Sequence, residues 1–288
     1  MALCLLSGPA TVVQPRSIGL LDLAPTRDDE LYVHQLNKDH RLFFHGDFSG
    51  FHTYCLVTHT KFKIIEGSVI QTGHDKFQAK IYYELENGKS STKVVGFNSP
   101  ILPMRSVSAC KYGRDLDSFE LDLFNGYSSQ KYICDLSFMI SYATNLDFLI
   151  PLEIEYIGMA AKNGRTAQER LGEGHKKLQS VLAELNDRDL FRSVSIVLYK
   201  PGELDSKDIT FPEVVETLEA SLIQYFKPKP LNKEHLDFPN NKTKLTSKLK
   251  CAGVNQIITH IESPQQTSIY SNHKRQPLKE HTFFVNVP

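Results

Sequence analysis

Leu152-Glu153-Ile154-Glu155-Tyr156-Ile157-Gly158 begins as an alternation of apolar and charged side chains, the period of a half-buried strand. It separates two textures of sequence. Before it, from about residue 41 to 142, short β-branched and aromatic runs at 53–57, 62–65, 77–83, 92–97 and 119–123 lie between turn signals, and Glu86-Asn87-Gly88 has the composition of a hairpin turn. Residues 1–40 hold the turn formers Gly8-Pro9, Pro15 and Pro25 and predict irregular structure with one strand. After it, Thr166 and Glu169 have capping-box spacing, in which each side chain satisfies the other's free N–H at a helix start. That helix is expected to run towards Asn186 with a bend near Gly172 or Gly174. Residues 193–199 predict a strand, Pro212 suits the first turn of a second helix ending before Pro228, and further strands are expected at 256–261 and 282–287. The fold class predicted is α+β: a β-rich domain over 1–134, a small α/β domain with a short sheet flanked by helices over 135–235, and a basic C-terminal appendage over 236–288.

Hydrophobic residues make up 41 % of the 288 and charged ones 23 %, enough for a core and unlike a disordered chain. There is no apolar run of about 18 residues, so no membrane span is expected. The first residues, Met-Ala-Leu-Cys-Leu-Leu-Ser-Gly-Pro, lack the basic start and long apolar stretch of a secretory signal. The 5 cysteines are scattered and nowhere spaced as C-x-x-C, which argues against a disulfide framework or a cysteine-built zinc site and makes the cytoplasm the expected compartment. Basic and acidic residues balance at 33 each. Residues 227–288, however, hold 10 basic and 4 acidic residues, which suits either a phosphate backbone or a solvated lysine face.

Glu219 is the most informative single position. On a helix through 212–226, Val215, Leu222, Ile223 and Phe226 share its face. Desolvating a carboxylate there is costly unless a cation or hydrogen bonds compensate. The alternative is a glutamate at the edge of the stripe whose carboxylate reaches water.

The neighbouring residues add an ordered set. Tyr156-Ile157-Gly158 ends a strand, Arg165, Arg170 and His175 follow, and then comes Glu219-Ala220-Ser221-Leu222-Ile223 leading through Pro228 to Asn232. This order resembles the GIY-YIG nuclease family over about 135–235, under half of the chain. The resemblance implies roles one residue at a time. Tyr156 matches the second-motif tyrosine that orients or deprotonates the attacking water. Arg170 matches the helix arginine that stabilises charge on the phosphate, and His175 a nearby histidine for proton transfer or phosphate contact. Glu219 matches the ligand of a single Mg²⁺ or Mn²⁺, hard cations that prefer oxygen. Asn232 matches the asparagine that closes the motif.

Two departures stand out. No Gly-Ile-Tyr is present; the nearest candidate is Ile140-Ser141-Tyr142, at hairpin distance from Tyr156, which makes Tyr142 either the first-strand tyrosine or an ordinary core residue. Arg170 and His175 are five apart rather than four, so they diverge on an ideal helix unless Gly172 or Gly174 bends it, or Arg165 supplies the guanidinium. Elsewhere His34, His40, His45, His52, His59 and His74 show no ligand spacing, and residues 46–51 read as a loop whose aromatics pack. No phosphate-cradling P-loop, dinucleotide fingerprint or Gly-x-Ser-x-Gly elbow occurs.

The expectation is a metal-dependent hydrolase that cuts phosphodiester bonds in DNA, with RNA as a substrate of the same chemistry. Restriction or defence is the preferred setting, with the N-terminal domain recognising a target or a protein partner. The alternative is a catalytically inactive nucleic-acid-binding module, or a subunit of a larger defence or repair complex. If the lysine-rich tail neutralises phosphates, replacing Lys242, Lys244, Lys248 and Lys250 will flatten the dependence of log K on log salt by roughly 0.9 for each duplex phosphate left unneutralised. Salt titrations of DNA binding measure this, and an unchanged slope assigns the stretch to solvated surface.

Overall fold

The computed structural model describes residues 2–13, 42–43, 50–84, 90–100, 102–111, 115–124, 129–145, 150–161, 164–172, 184, 192–202, 208–228, 231–240, 243–264 and 266–288. The architecture is mixed α+β and rich in strand. Its centre is a seven-stranded sheet in the order β14 (Thr267–Tyr270), β11 (Ile150–Met159), β3 (Thr53–Thr60), β12 (Arg192–Pro201), β1 (Ala2–Val13), β13 (Gln256–Glu262), β15 (Glu280–Asn286). β3 is antiparallel to both of its neighbours, while β11 with β14 and β1 with β13 are parallel pairs. Strands on both sides of the boundaries expected at 134 and 235 share this sheet: β1 and β3 precede them, β11 and β12 fall between, and β13 to β15 follow.

Two further sheets are built from the chain between β3 and β11, the second of them joined by β2 from ahead of β3. In one, β6 (Lys76–Glu84) pairs with β4 (Phe62–Ile64) and β5 (Ile70–Gln71) and also with β7 (Ser90–Asn98). The other has the order β2 (Leu42–Phe43), β10 (Ser129–Asp135), β9 (Leu116–Phe124), β8 (Met104–Lys111). The turn expected at Glu86-Asn87-Gly88 lies outside the described residues, but the strands that flank it pair antiparallel.

β3, β11 and β12 are buried on both faces, which is why they are apolar on consecutive residues, whereas β1, β13 and β15 alternate buried and more exposed residues. On one face Cys55, Val57, Leu152, Ile154, Ile157 and Val197 pack with Leu218, Leu222 and Phe226 of a long helix, Phe211–Phe226, and with Leu245 and Leu249 of a shorter one, Lys244–Cys251. On the other, Tyr54, Leu56, Tyr156, Ile196 and Leu198 join Phe77, Phe97 and Phe119 from the two smaller sheets. Those three rings stand 4.9–5.3 Å apart. The excursion between β3 and β11 therefore shares a core with the tyrosine face.

Local signals in the sequence act as expected at two helix starts. Thr166 and Glu169 form the reciprocal bonds of a capping box at 2.7 and 3.3 Å ahead of the helix Ala167–Gly172. Thr210 and Glu213 form another ahead of Phe211–Phe226, with Pro212 in the first turn. We number the helices in chain order: α1 is Leu136–Met139, α2 is Ala167–Gly172, α3 is Phe211–Phe226 and α4 is Lys244–Cys251. The segment ending at Tyr142 departs from expectation. The Asp135 carboxylate accepts from the Phe138 N–H at 2.7 Å and caps α1, so the run winds into α1 and a 3₁₀ turn, Ile140–Tyr142, instead of forming a hairpin arm. Among the described residues, no helix is long and apolar enough to cross a membrane.

One hydrogen-bonded chain ties the excursion to the central sheet. His59, 2 % exposed, donates from Nδ1 to the Thr60 carbonyl at 2.7 Å, and its Nε2 lies 2.8 Å from Ser195 Oγ. Ser195 Oγ is 3.2 Å from Ser137 Oγ on α1. Burial, aided by the charge of Arg192, pushes the imidazole down to about 4 from 6.5, so the neutral ring carries its proton on Nδ1. Between those two pH values the unfolded chain binds a proton that the folded one refuses. Stability is thus full above about pH 6.5 and falls on acidification by up to about 3 kcal/mol as pH 4 is approached. Urea unfolding from pH 7 to pH 4 should show this loss, and His59→Gln should remove that part of the slope.

Candidate active site

β3 and β11 lie side by side and present two tyrosines. Tyr54, 1 % exposed, and Tyr156, 9 % exposed, have ring centroids 6.4 Å apart. In the ladder Gly158 stands opposite Tyr54, and the tyrosine ring covers it: a Cβ added to Gly158 would lie 2.5 Å from Tyr54 Cζ and Oη. The glycine of Tyr156-Ile157-Gly158 therefore makes room for the Tyr54 ring.

Arg170 of α2 hydrogen-bonds the Tyr54 hydroxyl. α2 is held near the start of β3 by two contacts: the Ala167 N–H donates to the Phe51 carbonyl at 2.7 Å, and His52 Nδ1 meets the carbonyls of Ala160 and Arg165 at 2.8 and 2.9 Å. Phe51 is buried in the core, as expected for a packing aromatic.

Glu219, half-buried on α3, sits among the buried Val215, Leu222, Ile223 and Phe226. Its charge acts on Cys55, which lies on the α3 face of β3, and on Tyr54 and Tyr156, which lie on the other face. Asn232 fastens the loop after α3 to β11. Its Oδ1 accepts from the Ile157 N–H and its Nδ2 donates to the Ile157 carbonyl, both at 2.8 Å. β14 pairs β11 only from Ile150 to Glu153, and the amide supplies a strand-like partner beyond that point.

The electrostatics follow from this grouping. Burial raises the Tyr54 hydroxyl well above the usual tyrosine range, Tyr156 and Glu219 add to the rise, and Arg170 opposes it. Tyr156 is pushed up to about 12, first by burial and then by Glu219 and Glu234, again against Arg170. Both phenols are neutral at neutral pH. Each can orient a partner by hydrogen bonding, and the guanidinium brings positive charge to a site with carboxylates on its other side.

The structure thus brings together Tyr156, Arg170 and Asn232, while Glu219 acts on the tyrosines only through its charge, from the helix on the other face of the sheet. His175 and Lys242 lie outside the described residues. Tyr142 is half-buried in the 3₁₀ turn with its ring 5.1 Å from Phe138; burial and then Cys134 raise its hydroxyl, and no described interaction links it to Tyr156 or Arg170. Tyr54 is the member that sequence reasoning missed. It sits in a run predicted as strand, but no Gly-Ile precedes it, and all of β4 to β10 separates it from Tyr156. On α4, Lys248 is ion-paired with Glu213, while Lys244 and Lys250 are exposed.

Glu219 and Glu234 both act on Tyr156 through their charge, and their carboxylates are oxygen donors. This chemistry fits a hard divalent cation that keeps part of its water shell. Among the described residues no group of three or more His, Cys, Asp or Glu could hold a metal. Comparison with protein-family models, curated proteins and solved structures finds no match for this chain.

Gly158→Ala tests the packing of the two strands. The new methyl group must displace the buried Tyr54 ring, at a cost of about 1–3 kcal/mol typical of overpacking. Urea unfolding measures it; an unchanged midpoint would mean that the ring does not lie over residue 158.

Proposed function

We propose that this chain is a GIY-YIG-type endonuclease that hydrolyses phosphodiester bonds in DNA with Mg²⁺ or Mn²⁺. The observation that carries the reading is the grouping of Tyr54, Tyr156 and Arg170, from three separate elements, on one face of the sheet beside the point where Asn232 is fastened to Ile157, with the Glu219 charge acting on both tyrosines from α3. In this reading Tyr54, and not Tyr142, is the first-strand tyrosine, and the missing Gly-Ile is replaced by His52-Thr53.

Hydrolysis of a phosphodiester needs a placed water, positive charge on the scissile phosphate and relief of charge on the leaving oxygen. Glu219 would hold the cation, which when bound supplies Lewis acidity at the phosphate. Arg170, kept in place by Tyr54, stabilises the charge that develops on the non-bridging oxygens. Tyr156 is protonated at neutral pH, so it orients the water through its hydroxyl rather than acting as a standing base. Asn232 fixes the backbone of Ile157 and with it the position of Tyr156. The excursion between β3 and β11 shares a core with this face and is the part we assign to target or partner recognition, in restriction or defence.

Incubation of the protein with supercoiled plasmid in Mg²⁺, Mn²⁺ or EDTA tests the proposal. Nicking should require the metal, and Glu219→Gln should abolish it while unfolding as the wild type does. Full activity in EDTA, or cleavage by Glu219→Gln at the wild-type rate, would overturn the assignment. Binding without cleavage would leave the non-catalytic binding module.

The tyrosines give a second prediction. Tyr156→Phe and Tyr54→Phe should each slow single-turnover cleavage by ~10²-fold, the scale of a missing proton-handling group, with DNA affinity kept. Tyr142→Phe should cleave as the wild type does. A slow Tyr142→Phe beside a fast Tyr54→Phe would exchange their roles.

A further inference from the structure

In a regular strand alternate residues share a face, so Leu152, Ile154 and Tyr156 would point the same way. They do not. Leu152 and Ile154 pack under α3 together with Ile157, whereas Tyr156 joins Tyr54 and Leu56 on the opposite face. The ladder supplies the reason. Ile154 pairs with Val57 and Tyr156 pairs with Leu56, so Glu155 is an extra residue with no partner of its own in the register. Bulges of this kind re-aim side chains and are common beside active sites.

What holds the bulge is a pair of buried carboxylates around Ile154. Glu155, 9 % exposed, accepts a hydrogen bond from Thr58 Oγ1 at 3.1 Å. Glu153, 8 % exposed, is bound by Arg192 Nη1 at 2.6 Å and by the Tyr270 hydroxyl at 3.2 Å. Arg192 also donates to the Thr58 carbonyl at 3.2 Å. The bulged strand is therefore tied to β3, β12 and β14 at once. Burying a carboxylate is expensive, and an apolar residue would fill the same space at less cost, so the charge at 155 calls for a purpose other than packing.

We propose that Glu155 is a positioning residue: anchored to Thr58, it holds the bulge that turns Tyr156 onto the face where Tyr54 and Arg170 stand. The consequence for cleavage rests on the nuclease reading, but the placement of the ring does not. The test uses Thr58→Val, Glu155→Ala and the conservative Glu155→Gln, which can still accept from Thr58. In protein free of DNA and metal, magnetisation transfer between the Tyr54 and Tyr156 ring protons should vanish in Thr58→Val and Glu155→Ala and persist in Glu155→Gln. Single-turnover cleavage should fall by about 100-fold in the first two, the scale of a misplacement of about 1 Å, with DNA affinity unchanged, and Glu155→Gln should retain most of the rate.

If Glu155→Ala fails to fold, Thr58→Val alone decides. Variants that lose stability but keep the ring proximity and the rate would overturn the proposal, because that is the behaviour of a merely structural pair. If the wild type never cuts DNA while the ring proximity depends on Thr58 and Glu155, the positioning stands and the nuclease reading falls.

Discussion

The antiparallel ladder between β3 and β11 is the constraint on which the rest of the candidate site depends. It puts Tyr54 and Tyr156 on one face, makes Gly158 the only kind of residue that fits beneath the Tyr54 ring, and leaves the Ile157 backbone open for Asn232. Arg170 and Glu219 are carried by helices docked on opposite faces of this ladder, one through Phe51 and His52, the other through an apolar face against Cys55, Val57 and Ile157. Strands that hold their side chains fast are what a preorganised site requires, because donors already in place need no reorganisation when charge develops.

Much of this was legible in the residues, and the failures have physical causes. Capping boxes, the proline in the first turn of α3 and the β-branched runs are local signals that act over three or four residues, and they placed α3, β12, β13 and β15 within a few positions. Glu219 was visible because a carboxylate in an apolar helical stripe breaks a pattern. Tyr54 was not visible, since its partnership with β11 is a long-range pairing without a local mark. The bulge at Glu155 was hidden for a related reason: Leu152 to Tyr156 alternates as a plain strand would, and only the adjacent apolar pair Tyr156-Ile157 hints that the period is interrupted. Division of the chain at 134 and 235 followed changes of texture, whereas the central sheet is assembled from strands on either side of both points.

The two faces of the central sheet also divide the labour. The α3 and α4 face is mainly aliphatic, with Tyr199, Phe226, Phe238 and Phe283 as its buried aromatics. The opposite face combines the tyrosines with the phenylalanines of the excursion. A chemically active group is easier to tune beside aromatic and polar neighbours than inside an aliphatic layer, and it is on the aromatic side that Tyr54, Tyr156 and Arg170 meet.

The position of β1 has a consequence for how such a chain is made. This strand lies between β12 and β13, both of which follow it by well over a hundred residues. Until β12 and β13 emerge its hydrogen-bonding edges have no native mate, and an unpaired strand edge is a template for wrong pairing. Pairings this distant in sequence also close slowly, since the loop entropy must be met before the pairing returns anything. The β3–β11 ladder that carries the tyrosine pair can close before β13 emerges, whereas Asn232 reaches Ile157 only after α3 has been made.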